Sequence, residues 1–135
     1  MELPITLFYA SFFAIFALIL SFRAGSARGK SGISILHGEP ADMPFAEKVR
    51  THQNFLEYVP MFLIVFAFLE LNGTSPIFLY VLGDLMIIAR IAHAIGLKHD
   101  NMAHPGRIIG AGGTALVTLV AAVYGLWLFA TLPPG

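Results

Sequence analysis

The sequence predicts an all-α integral membrane protein, one small bundle of four helices. Three observations carry this. Of its 135 residues 57% are hydrophobic and only 12% charged, whereas soluble domains run near 45–50% apolar and about 25% charged. Mean hydropathy is +0.78. And the apolar residues fall into four stretches, each near the roughly 20 residues that a helix needs to cross hydrocarbon. Too little charge is present to cover a water-soluble globule, and too much apolar surface for a disordered chain. The length suits one domain over residues 1–135.

The expected spans are 3–22, 54–71, 75–96 and 108–132. The first carries no charged residue and ends at Arg23. It lacks a positive leading region and a small-residue cleavage site, so it reads as a retained span rather than a signal peptide. Residues 23–44 hold Gly25, Gly29, Gly32, Gly38, Pro40 and Pro44 with Arg23, Arg28 and Lys30, a density that predicts a loop. A helical pattern runs from Phe45 to Leu71 and is polar until Asn54, so the second helix starts in water or headgroups before entering the bilayer. Asn72-Gly73 is a turn signal. Thr74 or Ser75 is positioned to cap the third helix, with Pro76 in its first turn. A polar loop over 97–106 precedes the fourth span, whose Gly110, Gly112 and Gly113 predict close helix packing.

Seven of the eight Lys and Arg residues, all but Arg90, fall in the two loops and their helical borders. The positive-inside rule places those loops in the cytoplasm and both termini outside it. Net charge is zero with no basic cluster of the kind nucleic acid needs, so a nucleic-acid partner is not expected. There is no cysteine, so a thiol taking part in chemistry must arrive with a ligand. The histidines His37, His99 and His104 lie in loops without zinc-site spacing and are expected to face solvent; no metal is expected. Phe12, Phe13, Phe16 and Phe22 read as packing or lipid contact.

Ionisable groups inside a span are costly, about 2.5–3.5 kcal/mol at the centre on insertion scales. Glu57, Asp84, Arg90 and His93 are therefore the informative residues. Arg50, Asn54 and Glu57 follow at i, i+4 and i+7 along one face, flanked by Tyr58 and His52. Arg90 and His93 share a face of the third helix, and Arg107 opens the fourth. Internal pairing would join Glu57 to Arg90 and use Asn54 as interhelical glue. Three arginines against one nearby carboxylate leave surplus positive donors, which call for an anionic ligand. Asp84 lies about 240° around the helix from Arg90, and a structural bond to a neighbouring helix or subunit is expected of it.

The run Glu47-Lys48-Val49-Arg50-Thr51-His52-Gln53-Asn54-Phe55-Leu56-Glu57-Tyr58-Val59-Pro60 resembles the E-R-V-x-R-x-x-x-N-x-x-E-x-x-P signature of the MAPEG proteins, membrane-associated proteins in eicosanoid and glutathione metabolism. Ala89-Arg90-Ile91-Ala92-His93 is similar to the family's A/G-R-x-x-H/Y, and Pro105-Gly106-Arg107 to its P-x-R. The resemblance covers nearly the whole chain and is nearest to bacterial members. It implies a homotrimer in the inner membrane, with glutathione as co-substrate bound between subunits near the cytoplasmic face. It also implies a transferase or peroxidase reaction on a lipophilic small molecule from the lipid. Arg28 (or Arg23), Arg50, Asn54, Glu57, Tyr58, Arg90 and His93 would bind the tripeptide, and Arg107 would stabilise its thiolate. Leu97 stands where many family enzymes have tyrosine, and Ile108 where the prostaglandin synthase has serine. The alternative is a non-catalytic scaffold or lipid-binding protein.

Overall fold

The computed structural model describes residues 2–34 and 42–131. His37, Gly38, Pro40 and the expected last residue of the fourth span lie outside them. The described residues form four helices: α1 (Pro4–Ser31), α2 (Met43–Leu71), α3 (Pro76–Gly96) and α4 (Pro105–Thr131). Each is long and apolar enough to cross a bilayer. Each also carries a proline in its first turn, at Pro4, Pro44, Pro76 and Pro105, where the missing N–H is not needed and the ring's fixed φ suits a helix start.

The loop expected over 23–44 is corrected in its first part: α1 continues through Gly25 and Gly29 to Ser31. Glycine costs a helix about 1 kcal/mol relative to alanine, but packing on α2 offsets it. Ala27 is buried there, and the Arg28 guanidinium lies 5.0 Å above the Phe45 ring. The helix stops at Gly32, whose φ of 67° is left-handed and whose N–H returns to the Arg28 carbonyl at 3.0 Å. Loop three is likewise shorter than expected, since α4 starts at Pro105 rather than at 108.

The Asn72-Gly73 turn forms as the sequence predicts, with Gly73 at φ 75°. Ser75 holds the cap position of α3 without a side-chain cap bond, and the buried Thr74 hydroxyl has no partner among the described residues. Neither hydroxyl does the capping expected of it. Pro60 sits inside α2, a break that membrane helices tolerate when neighbours satisfy the freed carbonyl.

α3 packs most extensively on α4, and α1 on α2. An aromatic seam runs along the α1–α2 pair. Phe55 meets Phe13 and Phe16 with ring centres 6.0 and 5.4 Å apart, and Phe66 meets Tyr9 and Phe62 at 5.6 and 5.3 Å. Phe13 is buried and Phe22 faces outward, so the phenylalanines of α1 divide between packing and lipid.

The α3–α4 contact depends on glycine. A Cβ at Gly110 would lie 2.4 Å from the His93 backbone nitrogen, and one at Gly96 2.1 Å from that of Arg107. A Cβ at Gly113 would stand 3.1 Å from the Ala89 Cβ, a tight but lesser approach, whereas Gly112 faces open space. The glycine cluster therefore packs as expected at two of its three positions. Gly110→Ala should lower stability by about 1–3 kcal/mol, the usual range for overpacking. Gly112→Ala should stay within about 0.5 kcal/mol, as surface changes do. Thermal unfolding of both variants in detergent, followed by helical circular dichroism, checks the contrast.

Candidate functional site

Most of the polar residues singled out above, Asp84 and Arg28 excepted, gather at the end of the bundle where α2 begins and α3 ends, in two layers of different character. The outer layer lies on the exposed face of α2. Arg50 and Glu57, two turns apart, form a bidentate pair with Nη1–Oε1 and Nη2–Oε2 distances of 2.7 and 3.2 Å. Both side chains are about half exposed, at 50% and 47%. Pairs this accessible contribute about 0–1 kcal/mol, so this one is cheap to open.

The inner layer is built on Arg90, which is 1% exposed. Its Nη2 donates to Asn54 Oδ1 on α2 at 2.9 Å and its Nη1 to Thr114 Oγ1 on α4 at 3.2 Å. The guanidinium stands 5.6 Å over the Phe55 ring. Thr114 passes the chain on, donating to the Gly110 carbonyl at 2.7 Å. The expected Glu57–Arg90 pair is corrected: Glu57 lies on the outer face and takes Arg50, because Asn54, one turn before it, turns inward to the guanidinium. Asn54 is interhelical glue as expected. Among the described residues Arg90 has no carboxylate partner, and its Nε has no partner at all. His93, one turn on, is also buried with Nδ1 unpartnered.

Two clefts open onto these layers. One, about 70 Å³, is lined by Asn54, Tyr58, Arg90, Ala111, Thr114 and Ala115. The other, about 250 Å³, joins Arg50 of α2 to Arg107 of α4, with Glu47, Leu97, Lys98 and His99 around them. Of the seven expected ligand residues, Arg50, Asn54, Tyr58 and Arg90 line a cleft, Glu57 is paired beside them, and His93 is buried behind. Arg107 is half-buried, lines the larger cleft, and forms no ion pair among the described residues. Arg28 is not brought there. It closes its own helix end, donating to the carbonyls of Ile33 at 3.3 Å and Ser34.

Sequence reasoning missed the clamp that positions the larger cleft. Glu47 Oε1 accepts the His99 backbone N–H at 2.8 Å and contacts its Nδ1 at 2.6 Å, with Lys98 Nζ 3.8 Å from Oε2. His99 is exposed as expected, yet tied to α2. Nothing in the local spacing reveals a pair separated by fifty-two positions. Asp100 brings a third potential ligand atom within 4.8 Å of these two, but at the surface and with Glu47 Oε1 already engaged. His104 Nδ1 accepts from the Gly106 N–H at 3.1 Å.

The arrangement presents cationic donors from three helices, one exposed carboxylate, and little internal anion to satisfy them. It suits a ligand carrying both carboxylates and an ammonium. The model of the MAPEG family matches residues 6–127. The inner membrane protein YecN of Escherichia coli (strain K12) is 24% identical over 110 residues, covering 82% of each chain. YecN of Escherichia coli O6:H1 matches to the same extent. No solved structure matches the chain.

Because Arg90 is buried, its partners matter more than the outer pair does. Asn54→Ala should cost about 1–3 kcal/mol, the penalty for leaving a buried donor unsatisfied. Arg90→Met should cost less in the Asn54→Ala background than alone, since the donor that lost its acceptor is gone. Unfolding in mixed micelles of the four members of this cycle measures the coupling, and additive effects would contradict the described bond.

Proposed function

The chain belongs to the MAPEG family, and from that premise we propose that it is a membrane-bound glutathione-dependent transferase or peroxidase acting on lipophilic electrophiles. The observation that carries the reading is the row Arg50–Glu57 with Arg107 across the cleft from Arg50. An α-amino acid zwitterion, such as the γ-glutamyl end of glutathione, can replace the Arg50–Glu57 pair with two pairs. Its carboxylate goes to Arg50 and its ammonium to Glu57, and the net charge of the site does not change. The exposed pair costs little to open, and two charge-assisted hydrogen bonds replace it. Asn54 and Tyr58 flank the entry, and the buried Arg90 supplies positive charge behind it, with His93 alongside.

Arg107 is assigned to the thiol. A guanidinium beside the sulfur in a shielded cleft favours the thiolate, which is the nucleophile. In conjugation the thiolate forms a carbon–sulfur bond as the leaving group departs, and the thiol proton leaves to solvent. With a hydroperoxide, two glutathione molecules supply the two electrons, giving the disulfide, an alcohol and water.

The row on α2 points out of its own bundle, which supports a homotrimer in which a neighbouring copy covers it. Arg28 then has a place only from the adjacent subunit, and its bonds to the end of α1 would have to open. The name of YecN supports the inner membrane, and the charge distribution supports an orientation with the clefts on the cytoplasmic side and both termini outside. Leu97, which lines the larger cleft without a hydroxyl, favours the second reading, a non-catalytic scaffold or lipid-binding protein that keeps the fold and the pocket.

Calorimetric titration of glutathione into detergent-purified protein tests the site. Arg50→Ala and Glu57→Ala should each weaken binding by about 10–150-fold, the value of one charge-assisted hydrogen bond. Wild-type affinity in both folded variants would remove this site.

A further inference from the structure

The loop between α3 and α4 begins and ends at one place. A Cβ at Gly96 would lie 2.6 Å from the Gly106 Cα and 2.1 Å from the Arg107 nitrogen, and one at Gly106 would lie 3.1 Å from the Gly96 Cα. The two helix ends meet backbone to backbone, so the chain between them closes on itself as a compact surface loop of the Ω type. His104 finishes it on the α4 side. Its carbonyl accepts the N–H groups of Arg107 and Ile108 at 2.9 and 3.2 Å, and its Nδ1 accepts that of Gly106. With both ends pinned together, residues 98–103 can swing without moving either helix.

Those residues, Lys98 to Ala103, are all exposed, so no apolar burial holds them. Within the loop the His104 N–H donates to the Asn101 carbonyl at 3.4 Å. Every other hydrogen bond and ion pair that 98–103 make among the described residues ends on one side chain, Glu47 of α2. Glu47 is 15% exposed, whereas its partners Lys98 and His99 are 50% and 44% exposed. An Asp100 carboxylate oxygen lies within 4.8 Å of the polar atoms of Glu47 and His99, so a like charge pushes against this latch. A segment with no buried apolar contact, held by accessible ion pairs, belongs to the low-stability end of a structure.

The same segment is one wall of the cleft that joins Arg50 to Arg107. Lys98 and His99 line it from the loop beside Leu97, and Ala46, Glu47 and Arg50 line it from α2. The cleft therefore has a rigid wall and a loosely held one, joined through Glu47. We infer that residues 98–103 form a movable strap on this cleft, latched to α2 by Glu47, and that opening of the latch governs entry of small molecules to the cleft. Glu47 is then a positioning residue, acting through the wall that it holds. This inference does not rest on the glutathione reading.

Because the chain has no cysteine, a single introduced thiol reports on the cleft. Ala46 is half-buried on the α2 wall, and Ala46→Cys is labelled with N-ethylmaleimide, which is small and uncharged, in lipid nanodiscs. Adding Glu47→Gln should raise the labelling rate by about fivefold, the upper worth of an exposed ion pair. Adding Lys98→Gln with His99→Gln, which opens the latch from the other side, should raise it to a similar extent. Charge alone predicts opposite signs, since losing a neighbouring carboxylate favours the thiolate and losing neighbouring cations disfavours it. Faster labelling in both backgrounds therefore identifies strap opening. Unchanged labelling in Glu47→Gln, or slower or unchanged labelling in the Lys98 and His99 variant, would overturn the inference. If Ala46→Cys disturbs the fold, a nitroxide on Asn101→Cys, in the exposed strap, decides. Its spectrum should be restricted with the latch intact and gain a mobile component in both latch variants; equal mobility in all three would overturn the inference.

Discussion

A guanidinium buried at the junction of three helices, with no carboxylate beside it among the described residues, sets the terms for this end of the molecule. Arg90 can stay there only because α2 supplies Asn54, α4 supplies Thr114, and Phe55 offers its ring face. Each contact fixes one helix relative to α3. The geometry also requires α3 and α4 to approach at backbone distance, which Gly96 and Gly110 permit. The same approach sets the backbone of Arg107 beside Gly96. One buried charge thereby fixes the register of the helices that carry the candidate site.

The two layers of charge differ in strength in a way that suits binding. Burial makes the Arg90 network hard to break, since each lost partner leaves a desolvated donor. Arg50 and Glu57 hold each other in the open, where a pair is worth little. A ligand can therefore exchange with the outer pair without disturbing the inner scaffold. The positive charge left over, on Arg90 and Arg107, then lowers the free energy of whatever anion the ligand presents. A thiolate is the anion whose stabilisation turns binding into chemistry.

Much of this was legible in the sequence because membranes impose few solutions. Four apolar stretches, the Asn72-Gly73 turn and Pro76 pointed to four helices, with bounds close for α3 and for the end of α2 but nine residues short at the end of α1. The i, i+4, i+7 spacing put Arg50 and Glu57 on one face, and the burial of an isolated Arg90 marked it as a residue needing partners. What failed were choices between neighbours. Spacing alone did not tell that Asn54 rotates inward and leaves Glu57 to Arg50. Glycine content suggested a loop where α1 instead continues, with Ala27 buried and Arg28 over the Phe45 ring. The Glu47–His99 clamp joins parts of the chain that only the folded bundle brings together.

The central claim is that the site holds glutathione and ionises its thiol through Arg107. Ultraviolet thiolate absorbance of glutathione bound to the purified protein, titrated against pH, addresses it most directly. The account predicts that the thiolate of bound glutathione forms well below the free thiol midpoint of about 8.5. In Arg107→Ala it should move back toward that midpoint while glutathione still binds through Arg50 and Glu57, and Arg107→Lys should fall between, keeping the charge without the planar fork. Bound glutathione that titrates like the free thiol in the wild-type protein would contradict the account.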